Sequence, residues 1–106
     1  MSALKNKKRL VTGIKSSGIL HIGNYLGAIK PSIELQKDYE SFIFIADLHS
    51  LTTVHDKKTL QNNIFNAVLD YLACGLDPKN TIFYRQSDIH EHSELSWILS
   101  CITPFG

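Results

Sequence analysis

Within six residues, Gly13-Ile14-Lys15-Ser16-Ser17-Gly18 supplies two glycines that let the backbone turn tightly and two serines whose hydroxyls can donate to an anion. Apolar residues at helical spacing, Ile22, Leu26, Ile29 and Ile33, begin just afterwards, so this loop opens onto a helix start. Unpaired backbone N–H groups and the helix dipole favour phosphate there. Gly23, on the first turn, lets a flat ring come close to the backbone. A nucleotide phosphate is the guest such a loop suits. The pattern is neither the G-x-G-x-x-G dinucleotide fingerprint nor a P-loop, whose Gly-Lys-Ser/Thr ending is missing.

The elements that must position this loop follow from periodicity. Residues 10–12 form a short β-prone run that ends at Gly13. Pro31 falls inside the first helical pattern and disfavours helical geometry at Lys30, yet the apolar phase continues to Ile33, which predicts a kink and not a break. Residues 41–46 are nearly continuously apolar at strand length, the mark of a parallel strand covered on both faces, and Asp47 ends them. Asp56 can cap a second helix with a core face of Leu60, Ile64, Ala67, Val68, Tyr71 and Leu72, and Gly75 suits its exit. After the Asp77-Pro78 turn, residues 81–85 read as a third strand. Leu95, Ile98, Leu99 and Ile102 then mark a third helical face that Pro104 and Gly106 terminate.

The resulting β-α-β-α-β-α order predicts an α/β fold: a parallel sheet with right-handed crossovers and helices on both faces, as in the first half of a Rossmann-like nucleotide-binding domain. Ligands of such sheets bind beyond the carboxyl ends of the strands. Here those ends collect the glycine loop, then Asp47 and His49, then Gln86, Ser87 and Asp88.

With 106 residues the chain is one domain at most, and 43% hydrophobic with 20% charged residues predicts a real core over disorder. A formal charge of +1 excludes a chain-wide basic field. The cluster Lys5, Lys7, Lys8 and Arg9 reads as a solvated lead-in to the first strand, with a nucleic-acid contact as the lesser reading. Cys74 and Cys101 sit in apolar helical patterns without a Cys-x-x-Cys pair, which predicts reduced, buried thiols in a cytoplasmic protein. No apolar run reaches the roughly 20 residues of a membrane span, and the start is too polar for a signal peptide.

The run Ser17-Gly18-Ile19-Leu20-His21-Ile22-Gly23-Asn24-Tyr25-Leu26-Gly27-Ala28 resembles the H-I-G-H signature of the class I aminoacyl-tRNA synthetases, with Asn in the last position. That Asn, followed by Tyr-Leu-Gly-Ala, is similar to the tryptophanyl branch. Two further blocks agree: Asp47-Leu48-His49-Ser50-Leu51-Thr52, and Gln86-Ser87-Asp88 through His92, Glu94, Leu95 and Trp97. The resemblance implies activation of L-tryptophan by ATP, with Mg2+, to an aminoacyl adenylate, followed by transfer to tRNA(Trp). It also implies that residues 1–106 are the N-terminal part of the catalytic domain of a homodimeric enzyme. The second half of the fold, a K-M-S-K-S loop and an anticodon-binding domain would lie outside this chain. A tyrosyl-type relative and a non-catalytic fragment are the competing readings.

By the same resemblance, His21 and Asn24 stabilise charge on the transferring phosphate, Gly23 lies against adenine, and Lys15, Ser16, Ser17 and Gly18 line the nucleotide. His49 touches the amino acid, with Val11 and Gly13 in its pocket wall. Alternatives stand beside several of these roles. His21 could simply cap its helix, His49 could bond a neighbouring backbone group, and Gln86 and Ser87 could cap the last helix. Trp97 reads better as core or interface than as a ligand contact. His90 and His92, with Glu91 and Glu94, have poor shared geometry for a metal. The family usually has proline where this chain has Ser16 and His90, which weakens preorganisation without removing a ligand group. An open sheet edge and the last helix predict exposed apolar surface and self-association.

Overall fold

The computed structural model describes residues 7–104, so Lys5 of the basic cluster and Gly106 of the expected helix stop lie outside it. Three parallel strands, β1 (Arg9–Ile14), β2 (Glu40–Ile45) and β3 (Thr81–Arg85), form one sheet in the order β1-β2-β3. β1 runs two residues further than its β-prone core suggests, because Gly13 and Ile14 pair with Phe44 and Ile45. Parallel pairing gives three residues of one register row the same face. Ile14, Ile43, Ile45 and Phe83 point to one side, where Ile29, Ala67, Tyr71 and Leu76 complete the core.

Between β1 and β2 runs a helical rod: α1 (Ile22–Asn24), a π-helical turn (Tyr25–Ile29) and α2 (Lys30–Leu35). Where sequence predicts a kink, the chain makes this wide turn, in which Lys30 N–H bonds Tyr25 C=O five residues back. Pro31 lacks an N–H and its ring crowds the carbonyl four residues earlier, so a widened turn relieves both problems. The extra residue in that turn also shifts the buried face. Ile29 and Ile33 of the expected apolar face pack inward, but Ile22 and Leu26 of the same face are 71% and 55% exposed, and Tyr25 and Ala28 pack against the core in their place.

After β2 comes α3 (Asp47–Ser50), a single turn that periodicity did not predict, and then α4 (Lys57–Ala73). Asp56 caps α4 as expected, its carboxylate accepting from Thr59 N–H at 2.8 Å and Thr59 O–H at 2.6 Å. Gly75 leaves the helix at φ +106°, a conformation that favours glycine. Ala67 and Tyr71 are buried with Ile64 and Val68 beside them, while Leu72 lies on the solvent side. A 3-10 turn (Gln86–Asp88) and α5 (His90–Ile102) follow β3, and Pro104 stands past the helix end as anticipated.

The two thiols correct the sequence reading: Cys74 and Cys101 are both exposed. Cys74 caps the end of α4, and no residue of α5 is buried, so Cys101 shares an apolar pattern without being covered. The predicted exposed apolar surface is present in Leu95, Trp97, Ile98, Leu99 and Ile102. Among the described residues no helix is long and apolar enough to cross a membrane.

On the sheet's second face, Gly13, Phe44 and Tyr84 share a row, and the start of α5 lays His92 edge-on against both rings, with centroids 5.4 Å and 6.1 Å away. A Cβ at Gly13 would fall 2.5 Å from the Phe44 ring. That ring is wedged between Tyr84 and His92 and has little room to retreat. Gly13→Ala should therefore cost about 1–3 kcal/mol of stability in urea unfolding, and Phe44→Leu in the same chain should recover part of it. Burial also pushes the Tyr71 hydroxyl up to about 12 from its ordinary 10.0. The fold favours the neutral phenol, so its contribution is complete below pH 10.0 and is lost as pH rises towards about 12. The urea midpoint should fall across that window. Tyr71→Phe should flatten the fall, with Tyr84, also raised by burial, supplying the remainder.

Candidate functional site

The rod begins at a reciprocal capping box. His21 Nδ1 accepts from Gly23 N–H at 3.1 Å, and Asn24 Oδ1 accepts from His21 N–H at 3.0 Å. Each bond settles an orientation. With Nδ1 occupied as an acceptor, the proton of the neutral His21 ring sits on Nε2, and with Oδ1 occupied, the amide NH2 of Asn24 remains a free donor. Capping and donating are thus compatible, and the two sequence readings of His21 become one arrangement. Gly23 has its own reason to lack a side chain: a Cβ there would lie 2.9 Å from His21 Cε1 and 3.0 Å from Nδ1.

His21 and Asn24 share a hollow of about 370 Å³ with Lys15, Ser17 and Gly18, floored by Ile14. The structure thus gathers five of the seven residues expected at the nucleotide, at the carboxyl end of β1; Gly23, between His21 and Asn24, and Ser16 do not line the hollow. Ser16 is fully buried beneath the loop, its N–H donating to Ser50 Oγ at 2.9 Å and its hydroxyl lying 3.0 Å from the same atom. Lys15 reaches across in the same direction, Nζ to Thr52 Oγ1 at 3.2 Å.

α3 holds the centre of this edge. Asp47, its first residue, is buried, and one carboxylate oxygen accepts from Leu48 N–H and Ser87 N–H at 3.0 Å each while the other accepts the Ser87 hydroxyl. A buried carboxylate requires such partners, so Asp47 serves the loops, and Ser87 bonds Asp47 and does not cap α5. Next to this clamp Arg85 holds the Asp88 carboxyl below its usual range through a two-oxygen contact, Nη2 to Oδ1 at 2.6 Å and Nε to Oδ2 at 3.1 Å.

His49, on the outer side of α3, is exposed and lines a second hollow of about 380 Å³ with Gln86, His92 and Trp97. Its carbonyl accepts from Thr52 N–H and O–H, and among the described residues its imidazole makes no hydrogen bond. Val11 and Gly13 do not line that hollow. They lie on the open sheet face, Val11 61% exposed, and His92 is the group that joins the two regions through Phe44. The residues that sequence reasoning left without a role are Ser50 and His92. Both stand inside the quoted motif blocks, but only burial and ring contact reveal their function in the fold. Among the described residues no cluster of three or more His, Cys, Asp or Glu is placed to hold a metal ion.

The family model for tRNA synthetases class I (W and Y) matches residues 3–106. A curated tryptophan–tRNA ligase of Fusobacterium nucleatum is 56% identical over 99 residues, which is 93% of this chain and 30% of that protein. Its counterpart in Neisseria meningitidis is 48% identical over 103 residues, 95% of this chain and 31% of the relative. The tryptophanyl-tRNA synthetase structure from Mycoplasma pneumoniae matches with a TM-score of 0.88 at 42% identity, over 92% of this chain and 28% of that one. The Campylobacter jejuni enzyme complexed with ADP and tryptophan matches with a TM-score of 0.82 at 45% identity, over 91% of this chain and 30% of the other. The chain thus spans about 30% of the length of the curated relatives it matches. Its three strands, its helix order and the motif blocks at the strand ends agree with these likenesses: the chain belongs to the class I tRNA synthetases of the tryptophan and tyrosine type, and its similarity runs to the tryptophan ligases among them.

Proposed function

We propose that this chain carries the ATP-binding half of a tryptophan-activating site and takes part, within a cytoplasmic enzyme, in forming tryptophanyl-adenylate for transfer to tRNA(Trp). The observation that carries this reading is the capping box, which leaves the His21 Nε2–H and the Asn24 NH2 free beside the hollow that Lys15, Ser17 and Gly18 line. The ADP and tryptophan bound in the Campylobacter jejuni relative support it.

In this reading the tryptophan carboxylate attacks the α-phosphorus of ATP, the bond to the bridging oxygen breaks, and pyrophosphate leaves with Mg2+, which enters with ATP as part of the substrate. No protein nucleophile is needed. His21 and Asn24 donate to oxygens whose charge grows in the transition state, where preorganised donors count most. Gly23 leaves the rod's first turn open to the adenine, and Lys15 adds a cation at the mouth. His49, Val11 and Gly13 belong to the amino-acid side. Gln86 and His92, which share a hollow with His49, extend that wall, and His92 also meets Phe44, the row neighbour of Gly13. Positioning two substrates and excluding water supply the remainder of the rate.

A second reading is nucleotide binding without turnover by this chain alone. The open sheet face at Val11 and Ile82 and the uncovered side of α5 favour it, since the amino-acid wall is incomplete on that side. Homodimer assembly through α5 belongs with the first reading and draws on the same apolar exposure.

Tryptophan-dependent exchange of labelled pyrophosphate into ATP separates the two. It is run on this chain and on a chimera that continues into the remainder of the Campylobacter jejuni synthetase, with tyrosine as the control. We expect exchange by the chimera with tryptophan only; a chimera that folds and exchanges with tyrosine, or with neither amino acid, would overturn the assignment. Within the chimera, His21→Ala should slow exchange by about a hundredfold or more while tryptophan binding changes little.

A further inference from the structure

Ser50 uses every hydrogen-bonding capacity a hydroxyl has. Its single proton goes to Ala46 C=O at 3.0 Å, one lone pair takes the Ser16 N–H at 2.9 Å, and the second faces the Ser16 hydroxyl at 3.0 Å. Because Ser50 has only that one proton, Ser16 must be the donor in the last contact. Both residues are fully buried, so water does not reach them. Each serine hydroxyl thus has a partner in this arrangement.

We propose that Ser50 is a positioning residue for the nucleotide loop: from α3 it latches Ser16 and thereby sets Lys15, Ser17 and Gly18 around the hollow headed by His21 and Asn24. The proposal rests on the nucleotide reading of that hollow and adds a residue to it that touches no ligand. Two observations separate the latch from ordinary packing. The loop after Ser16 is exposed at Ser17, Gly18 and Ile19 before Leu20 meets the core, so the buried serine pair is the polar anchor at the start of that stretch. α3 itself is held independently, by the bonds of Asp47 to Ser87 on the far side. Loss of the Ser50 hydroxyl therefore frees the loop and leaves α3 in place.

Ser50→Ala strands two buried donors, the amide and the hydroxyl of Ser16. Proline at position 16, the residue the resemblance leads one to expect there, carries neither donor and restricts the backbone by its ring. Ser16→Pro should therefore relieve Ser50→Ala, which gives the test its specificity: a general loss of packing would be worsened by a second core substitution.

The experiment is calorimetric titration of magnesium-ATP into the full 106-residue chain, with folding of each variant checked by circular dichroism. We expect Ser50→Ala to weaken ATP binding by about ten- to a hundredfold and Ser16→Pro/Ser50→Ala to recover most of that loss. Amide hydrogen exchange at Ser16 should quicken in Ser50→Ala ahead of exchange in the strands. A folded Ser50→Ala chain that binds ATP as tightly as the wild type, or a folded double variant that binds no better than Ser50→Ala, overturns the proposal. If Ser50→Ala does not fold, the double variant decides alone: folded with near wild-type affinity it supports the latch, folded without affinity it overturns it. A wild-type chain that binds no ATP fails at the nucleotide reading itself, and amide exchange then still reports whether the serine pair anchors the loop.

Discussion

The buried side chains of α3 hold together what the sheet alone would leave apart. Parallel strands end side by side, but the loops that leave them diverge, and backbone pairing stops at the last ladder bond. Asp47 draws the β3 turn inward through Ser87, and Ser50 draws the β1 loop inward through Ser16. Both polar groups are out of water, where an unpaired carboxylate or hydroxyl is costly. The geometry is therefore narrowly specified: the loops sit where these acceptors are, or the acceptors go without partners. A four-residue helix becomes the reference point for the His21 hollow on one side and the His49 hollow on the other.

Connection topology explains why one side of the sheet is rich in cover and the other is open. Successive parallel strands laid down in one direction with right-handed crossovers put both connecting helices on the same face. The rod and α4 accordingly share one core, with Tyr71 against Phe83 at 5.4 Å between centroids. α5 starts on the opposite face, where His92 reaches the row of Gly13, Phe44 and Tyr84. Ligand crevices of open α/β sheets lie beyond the carboxyl ends of the strands, and the candidate residues of this chain gather along that edge. The self-association expected from sequence keeps its physical motive in the uncovered apolar side of α5.

Much of this was legible in the residues. Strand 81–85, the Asp56 cap, the Gly75 exit and most of the α4 core face follow from period, capping chemistry and the conformational freedom of glycine, all local in range. The motif His21-Ile22-Gly23-Asn24 likewise carried its own geometry, since a reciprocal capping box needs only neighbours three residues apart. The misreadings have two causes. A π turn ahead of Pro31 breaks the 3.6-residue period that puts Ile22 and Leu26 on one face with Ile29 and Ile33, and an apolar pattern around Cys101 cannot say whether anything packs on it.

What the sequence determined by itself was the three strands and the longer helices, their parallel order and the residue types at the strand ends, because these depend on hydrophobic period and short-range steric preference. Tertiary structure alone decided which of those polar residues line a hollow and which face each other. Ser16 and Ser17 are indistinguishable as adjacent serines in a glycine loop, yet one is sealed against Ser50 and the other lines the hollow. The partner stands 34 positions away. Contacts over that distance are set by where β1 and β2 place their ends, and no local pattern encodes which hydroxyl the fold will bury.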